Sequence, residues 1–147
     1  MAAELLRSSD DHTEPLYVLV VDASPTARDH VQLALGDGYR VRFAASAPEA
    51  ITALVERLPD LLVSEVDLQG ESGLELCERV RALPQGARLP IMLLTGRGGI
   101  QDKVAGFQAG ADDYVVKPVD PRLFFARVRL LCRIKGLEQP RIGSADN

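Results

Sequence analysis

The sequence has no tryptophan, three tyrosines and four phenylalanines among 147 residues, so its core cannot rest on large aromatic side chains. It also lacks a basic run with interleaved aromatics: 17 Lys and Arg stand against 21 Asp and Glu, for a formal net charge of −4, and direct nucleic-acid binding is not expected. No apolar stretch exceeds strand length, and Met1 to Glu14 is polar and acidic, so neither a membrane span nor a secretory signal is expected and the cytoplasm is the expected location. Only two cysteines are present, Cys77 and Cys132. With no CxxC and no histidine at ligand spacing, they point to a reducing compartment and to core-filling thiols, Cys132 falling at helical spacing with Phe124, Val128 and Leu131. His12 and His30 have no companions that would make them metal ligands. Internal repeats and low-complexity segments are missing as well.

What remains is the ordinary composition of one folded domain, with 46% apolar and 26% charged residues. Leu16 to Val21, most of Asp60 to Val66, and Pro90 to Leu94 are short continuous apolar runs, the pattern of strands covered on both faces of a parallel sheet. Shorter strands fit Tyr39 to Phe43 and Tyr114 to Val116. Helix starts follow each strand. Ser24-Pro25 and Asp120-Pro121 combine an N-cap with a first-turn proline, and Ser46 with Glu49 and Ser72 with Glu75 have capping-box spacing. Behind the caps, Ile51, Leu54, Val55 and Leu58, or Ile100, Val104 and Phe107, recur at the helical period and are expected to form one buried stripe per helix. Strict alternation of five strands and five helices predicts a doubly wound α/β domain with right-handed crossovers over residues 16–135, between polar tails at 1–15 and 136–147 expected to fray.

In such a sheet the ligand crevice opens beyond the carboxyl ends of the strands. Asp22 ends the first strand, Glu65 the third and Thr95 the fourth, and Lys117 follows the fifth. Two acids, a hydroxyl and an ammonium should therefore converge, with Asp67 at the rim and Arg97 either approaching Asp67 or lying solvated. The stretch Thr95-Gly96-Arg97-Gly98-Gly99 lacks the spacing of a P-loop or dinucleotide fingerprint and is expected to be a flexible loop. No phosphate-cradling loop follows the first strand, which leaves flavin or nucleotide binding with little support.

Five short motifs stand in order: Val20-Val21-Asp22-Ala23-Ser24-Pro25, Pro59-Asp60-Leu61 running to Glu65, Gly70 with Gly73-Leu74-Glu75-Leu76, Leu94-Thr95-Gly96, and Gly110-Ala111-Asp112-Asp113-Tyr114-Val115-Val116-Lys117-Pro118. In this combination the chain resembles a bacterial response-regulator receiver domain from about Tyr17 to Lys135. The resemblance implies the flavodoxin-like strand order 2-1-3-4-5 and a role in two-component or phosphorelay signalling. It also implies an acidic-pocket role for Asp22, a hydroxyl from Thr95 to a phosphoryl oxygen, a pairing cation in Lys117, and an aromatic switch in Tyr114. Pro118 matches the family proline that follows the lysine through a cis peptide bond.

Two positions depart from the family. Ala23 stands where a carboxylate would be a principal magnesium ligand, and Glu65 stands where the phosphoacceptor would be aspartate. Mg²⁺ prefers near-octahedral oxygen ligands at about 2.1 Å, so loss of a carboxylate should weaken its binding. The added methylene of Glu65 shifts the attacking oxygen by roughly an ångström, enough to cost on the order of a hundredfold in rate. The expectation is a degenerate pseudo-receiver that is neither conventionally phosphorylated nor an enzyme, has no cofactor, and acts through a signalling partner or output domain. Glu65 would then either imitate the phosphorylated state permanently or simply neutralise Lys117. The alternative is a working, self-phosphorylating receiver, with Glu65 or Asp67 as acceptor and magnesium held among Asp22, Glu65 and Asp67.

The last helix carries a second apolar series, Leu123, Leu130, Ile134 and Leu137, on a different side from its buried stripe. Asp112 and Asp113 precede the fifth strand, and Arg122, Arg127, Arg129 and Arg133 stud the helix. This arrangement resembles the dimer face of many receivers, so a homodimer through Leu123, Leu130, Ile134 and Arg127 is one expectation and partial burial within the domain the other.

Overall fold

A computed structural model describes residues 15–138 of the chain, with side chains described as far as residue 133. Most of the two tails, and the Ile134 and Leu137 side chains of the expected dimer face, therefore lie outside the described residues. The strands are β1 (Leu16–Val21), β2 (Tyr39–Ala44), β3 (Leu61–Ser64), β4 (Ile91–Thr95) and β5 (Asp113–Val116). The helices are α1 (Pro25–Leu35), α2 (Ala47–Glu56), α3 (Gly73–Ala82), α4 (Ile100–Gln108) and α5 (Pro121–Glu138). All strand pairs are parallel, in the order β2-β1-β3-β4-β5. This is the predicted flavodoxin-like sheet. The strands differ from expectation only at their ends, and Glu65 falls just beyond β3 rather than within it.

Local sequence accounts for the helix starts. The Ser24 hydroxyl accepts from the Ala27 amide at 3.2 Å, and the Ser72–Glu75 capping box closes in both directions. At α2 the box is displaced: Ser46 accepts from the Glu49 amide, but the Glu49 carboxylate reaches back to the amide of Ala45 rather than that of Ser46. Asp120 accepts from the Arg122 amide at 2.7 Å at the start of α5.

The sheet separates two apolar layers. One contains Leu19, Leu62, Ile91 and Leu93 against α2 and α3; the other contains Val18, Val63, Met92 and Leu94 against α1 and α5. Cys77 and Cys132 are both buried and outside any disulfide, and burial pushes the Cys77 thiol up to about 12. Phe124, Val128, Leu131 and Cys132 form the inner stripe of α5 as expected.

The predicted stripe is buried only in part on α2 and not at all on α4. α2 meets the sheet through Ala47, Ala50, Ala53 and Leu54, while Val55 is 59% exposed. Small residues let the helix approach the strands closely; Ile51 and Leu54 pack with the core, while Val55 and Leu58 turn outward. α4 is the sharper correction: Ile100, Val104 and Phe107 are 74%, 49% and 49% exposed, and within this helix only Gly106 is buried. A Cβ on Gly106 would lie 2.7 Å from Cδ2 of Tyr114, so the helix rests on that ring through a residue with no side chain.

One charged residue organises the opposite end of the sheet. Arg81, in the last turn of α3, donates to the carbonyls of Gly86, Leu89 and Gly110 and to the Asp112 carboxylate, which also accepts from the Ile91 amide. It ties α3, the entry to β4 and the α4–β5 turn together with a single planar fork. Arg81→Ala would leave several carbonyls without their donor, and urea unfolding is expected to show a loss of about 3 kcal/mol. Arg81→Lys, with a point charge in place of the fork, should recover only part of it.

Candidate functional site

The carboxyl ends of β1, β3, β4 and β5 bring the four predicted pocket residues together. Asp22 follows β1, and its Oδ1 accepts from the Ser24 amide at 2.9 Å. Its Oδ2 accepts from Lys117 Nζ, also at 2.9 Å. Lys117 follows β5, and its peptide bond to Pro118 is cis.

Glu65 uses both oxygens of its carboxylate. Oε1 accepts from Lys117 Nζ at 2.9 Å, while Oε2 accepts from the amides of Val66 and Asp67 at 2.7 and 2.9 Å and from the hydroxyl of Thr95. The backbone here is fixed from behind by α3. The Gly73 amide donates to the Val66 carbonyl at 2.9 Å, and a Cβ on Gly73 would come within 2.2 Å of the Glu65 carbonyl oxygen. Only glycine lets the helix start this close to the Glu65 loop.

The site is a shielded ionic cluster. Thr95 is fully buried, and the Asp22 and Glu65 side chains retain 9% and 11% of their exposure. Burial alone would raise the Glu65 carboxyl, but the Thr95 hydroxyl, the Asp67 amide and Lys117 outweigh it and hold the group below its ordinary value. Burial alone would likewise lower Lys117, and the hydrogen bonds it donates to Asp22 and Glu65 instead raise it. Both groups therefore carry charge near neutral pH.

At the rim Arg97 pairs with Asp67 while staying half exposed. Its Nε lies 2.8 and 2.9 Å from the two carboxylate oxygens of Asp67. Tyr114 is buried, and its hydroxyl donates to the Arg97 carbonyl at 2.7 Å. Burial, followed by the nearby Asp102 carboxylate, raises the phenol, which remains a hydrogen-bond donor.

This donor set does not fit magnesium. The Ala23 side chain supplies no oxygen, the Asp67 carboxylate is engaged by Arg97, and the carboxylate oxygens of Asp22 and Glu65 are taken up by Lys117, Thr95 and backbone amides. Among the described residues, no group of three His, Cys, Asp or Glu side chains is arranged to hold a metal ion. Nor is any described helix long and apolar enough to cross a membrane.

Residues 18–129 match the family model described as the response regulator receiver domain. The chain belongs to the response-regulator receiver family. Among curated proteins, it is 43% identical over 117 residues to the transcriptional regulatory protein AfsQ1 of Streptomyces coelicolor, covering 79% of this chain and 51% of that one. It is 46% identical over 97 residues to the phosphate regulon transcriptional regulatory protein PhoB of Rhizobium meliloti, covering 66% of this chain and 43% of that one. The chain thus spans about half the length of these relatives. A crystal structure from Chloroflexus aurantiacus superposes with a TM-score of 0.79 at 43% identity, covering 82% of this chain and 99% of that one. For the chemotaxis response regulator CheY4 of Vibrio cholerae the TM-score is 0.75 at 30% identity, with 80% and 99% covered. Receiver domains of this kind work with histidine kinases and output domains in two-component systems.

Sequence reasoning placed Asp22, Glu65, Thr95, Lys117 and Tyr114 around the receiver pocket. It named Gly73 only as part of a motif, without a role, and did not single out Gly106; the importance of both lies in what a Cβ would strike. The charges assigned to a dimer face are largely engaged within the chain: Arg127 pairs with Asp113 at 2.7 Å, Asp112 with Arg81, and Arg122 with Asp120.

Proposed function

We propose that this receiver signals through protein contacts without conventional aspartyl phosphorylation, and that the Glu65 carboxylate stands in for a phosphoryl group. One observation carries the reading: a single side chain engages the Thr95 hydroxyl, the Lys117 ammonium and two consecutive backbone amides at once. These are the donors that would otherwise receive phosphoryl oxygens in a pocket of this kind. Glu65 brings one negative charge where a phosphoryl group brings nearly two, so the imitation is weaker but permanent. It requires no magnesium, and the chain is not an enzyme. Output falls to the surfaces around the pocket. The solvent-facing stripe of Ile100, Val104 and Phe107 on α4 is an apolar face suited to a signalling protein or an output domain. Leu123 and Leu130 on α5, 49% and 46% exposed, are where a second copy would pack.

The test is an intact-mass measurement after incubation with acetyl phosphate and Mg²⁺. The expected spectrum is that of the unmodified chain. A phosphoryl adduct that survives controls would instead establish a magnesium-dependent acceptor at Glu65 or Asp67.

A further inference from the structure

Glu65 bonds directly to the start of the β4–α4 connection at Thr95, the last residue of β4, and on the facing loop it holds the Asp67 amide but leaves the Asp67 carboxylate free for Arg97. Beyond Thr95, three of the next four residues are glycine, and Arg97 alone carries a side chain with which the loop can be anchored. A Cβ built on Gly96 would meet nothing within 4 Å, so the surrounding structure does not hold the loop sterically there. Arg97 makes the missing connections. Its guanidinium spans to Asp67 on the β3–α3 loop and lies 3.9 Å from Asp102 of α4; its amide donates weakly to the Thr95 hydroxyl at 3.4 Å, and its carbonyl receives the Tyr114 hydroxyl.

We infer that the Asp67–Arg97 ion pair is an ionic clasp that holds the β4–α4 loop, and with it Tyr114 and α4, in the arrangement seen. It uses the Asp67 carboxylate, whereas Glu65 binds the Asp67 amide. The chain of contacts is short. Asp67 fixes Arg97, the Arg97 carbonyl holds the Tyr114 hydroxyl, and α4 sits on the Tyr114 ring at Gly106. The exposed stripe of α4 is thereby presented in one position. The clasp also differs physically from the buried cluster. Its two side chains are 52% and 57% exposed, against 28% and 11% for Lys117 and Glu65. Salt should weaken the clasp and spare the cluster. A partner carboxylate that competes with Asp67 for the guanidinium would act at the same point.

The inference rests on the proposed function only in taking α4 as an output surface. It is tested by residue-resolved amide hydrogen exchange on the full chain. The reporters are the loop amides of Arg97 to Gly99 and the Lys103 amide, which donates to the Gly99 carbonyl at 3.1 Å. Asp67→Asn and Arg97→Ala are each expected to speed exchange at these sites about threefold to fivefold, with smaller changes elsewhere. Raising NaCl to roughly 1 M should bring the wild type toward the variants and leave the variants nearly unchanged. The charge-swapped double variant, Asp67→Arg with Arg97→Asp, should restore slow exchange. Unchanged exchange in both single variants, or a swap no slower than either, overturns the clasp. Glu65→Gln measured alongside separates the two ideas: faster exchange there, with the clasp variants silent, sinks the clasp and leaves the proposed role of Glu65 standing.

Discussion

Aspartate at both positions 23 and 65 is expected to let the chain take a phosphoryl group from acetyl phosphate in the presence of Mg²⁺ far faster than the wild type. Each replacement corrects a different defect. Ala23→Asp adds a carboxylate beside Asp22, giving the divalent ion a second acidic ligand next to the first. Glu65→Asp withdraws the carboxylate by one methylene, so that it can no longer fill the space between Thr95 and Lys117 and leaves those donors for the incoming phosphoryl oxygens. Neither change suffices alone. With Ala23→Asp only, Glu65 still occupies the site through its four hydrogen-bond donors. With Glu65→Asp only, the metal lacks the ligand at 23, and a dianionic donor meets carboxylates that no divalent ion offsets. The double variant should label at least about a hundredfold faster than the wild type, the scale of rate lost when a reacting atom is misplaced by an ångström. Intact mass against time measures it directly. A double variant that folds and stays unlabelled would mean that the acceptor position has been misassigned.

The sequence made the scaffold legible because its signals were short-range. Val18 to Val21 are an apolar run, Ser72 lies three residues before Glu75, and Pro25 follows Ser24; each signal can be seen within one turn or strand. The pocket was legible for a related reason: strand ends are easily located, and a parallel sheet collects them on one side. Long-range backbone contacts were not legible. Nothing near Arg81 announces that it will reach carbonyls at Gly86, Leu89 and Gly110, and Gly73 reveals its role only when the Glu65 carbonyl lies behind it. The misplacement of the α4 stripe has another cause. Ile100, Val104 and Phe107 mark an apolar face at helical period, but periodicity does not say whether that face meets the protein's own core or the surface of another protein. Here Gly106, Ala109 and Ala105 form the side nearer the sheet, and small residues give a weak hydrophobic signal that three larger ones overwhelm.

Lys117→Met is expected to cost more stability than any other single change around the pocket, about 3 to 5 kcal/mol, a large part of the total for a domain of this size. Methionine keeps the length and apolar stem of lysine but removes the one charge shared by Asp22 and Glu65. Two nearly buried carboxylates would then face each other without a cation, and their mutual repulsion would add to the cost of desolvation. The pH dependence distinguishes this cause from a packing defect. In the wild type, Glu65 is held below its ordinary value of 4.5, so its contribution is present above that pH and disappears as pH falls through the lower folded value. Lys117 is held above its ordinary 10.5, so its contribution is complete below that pH and is lost as pH rises through the higher folded value. Wild-type stability from this cluster is therefore flat between the two limits. In Lys117→Met the acid limb reverses, because protonating Glu65 now relieves repulsion. Urea unfolding at pH 7 and pH 5 should show the variant closing part of its deficit at the lower pH, and adding Glu65→Gln should recover stability at pH 7. A variant as stable as the wild type at neutral pH, or one that weakens further on acidification, would show that Lys117 is not what holds the two acids in place.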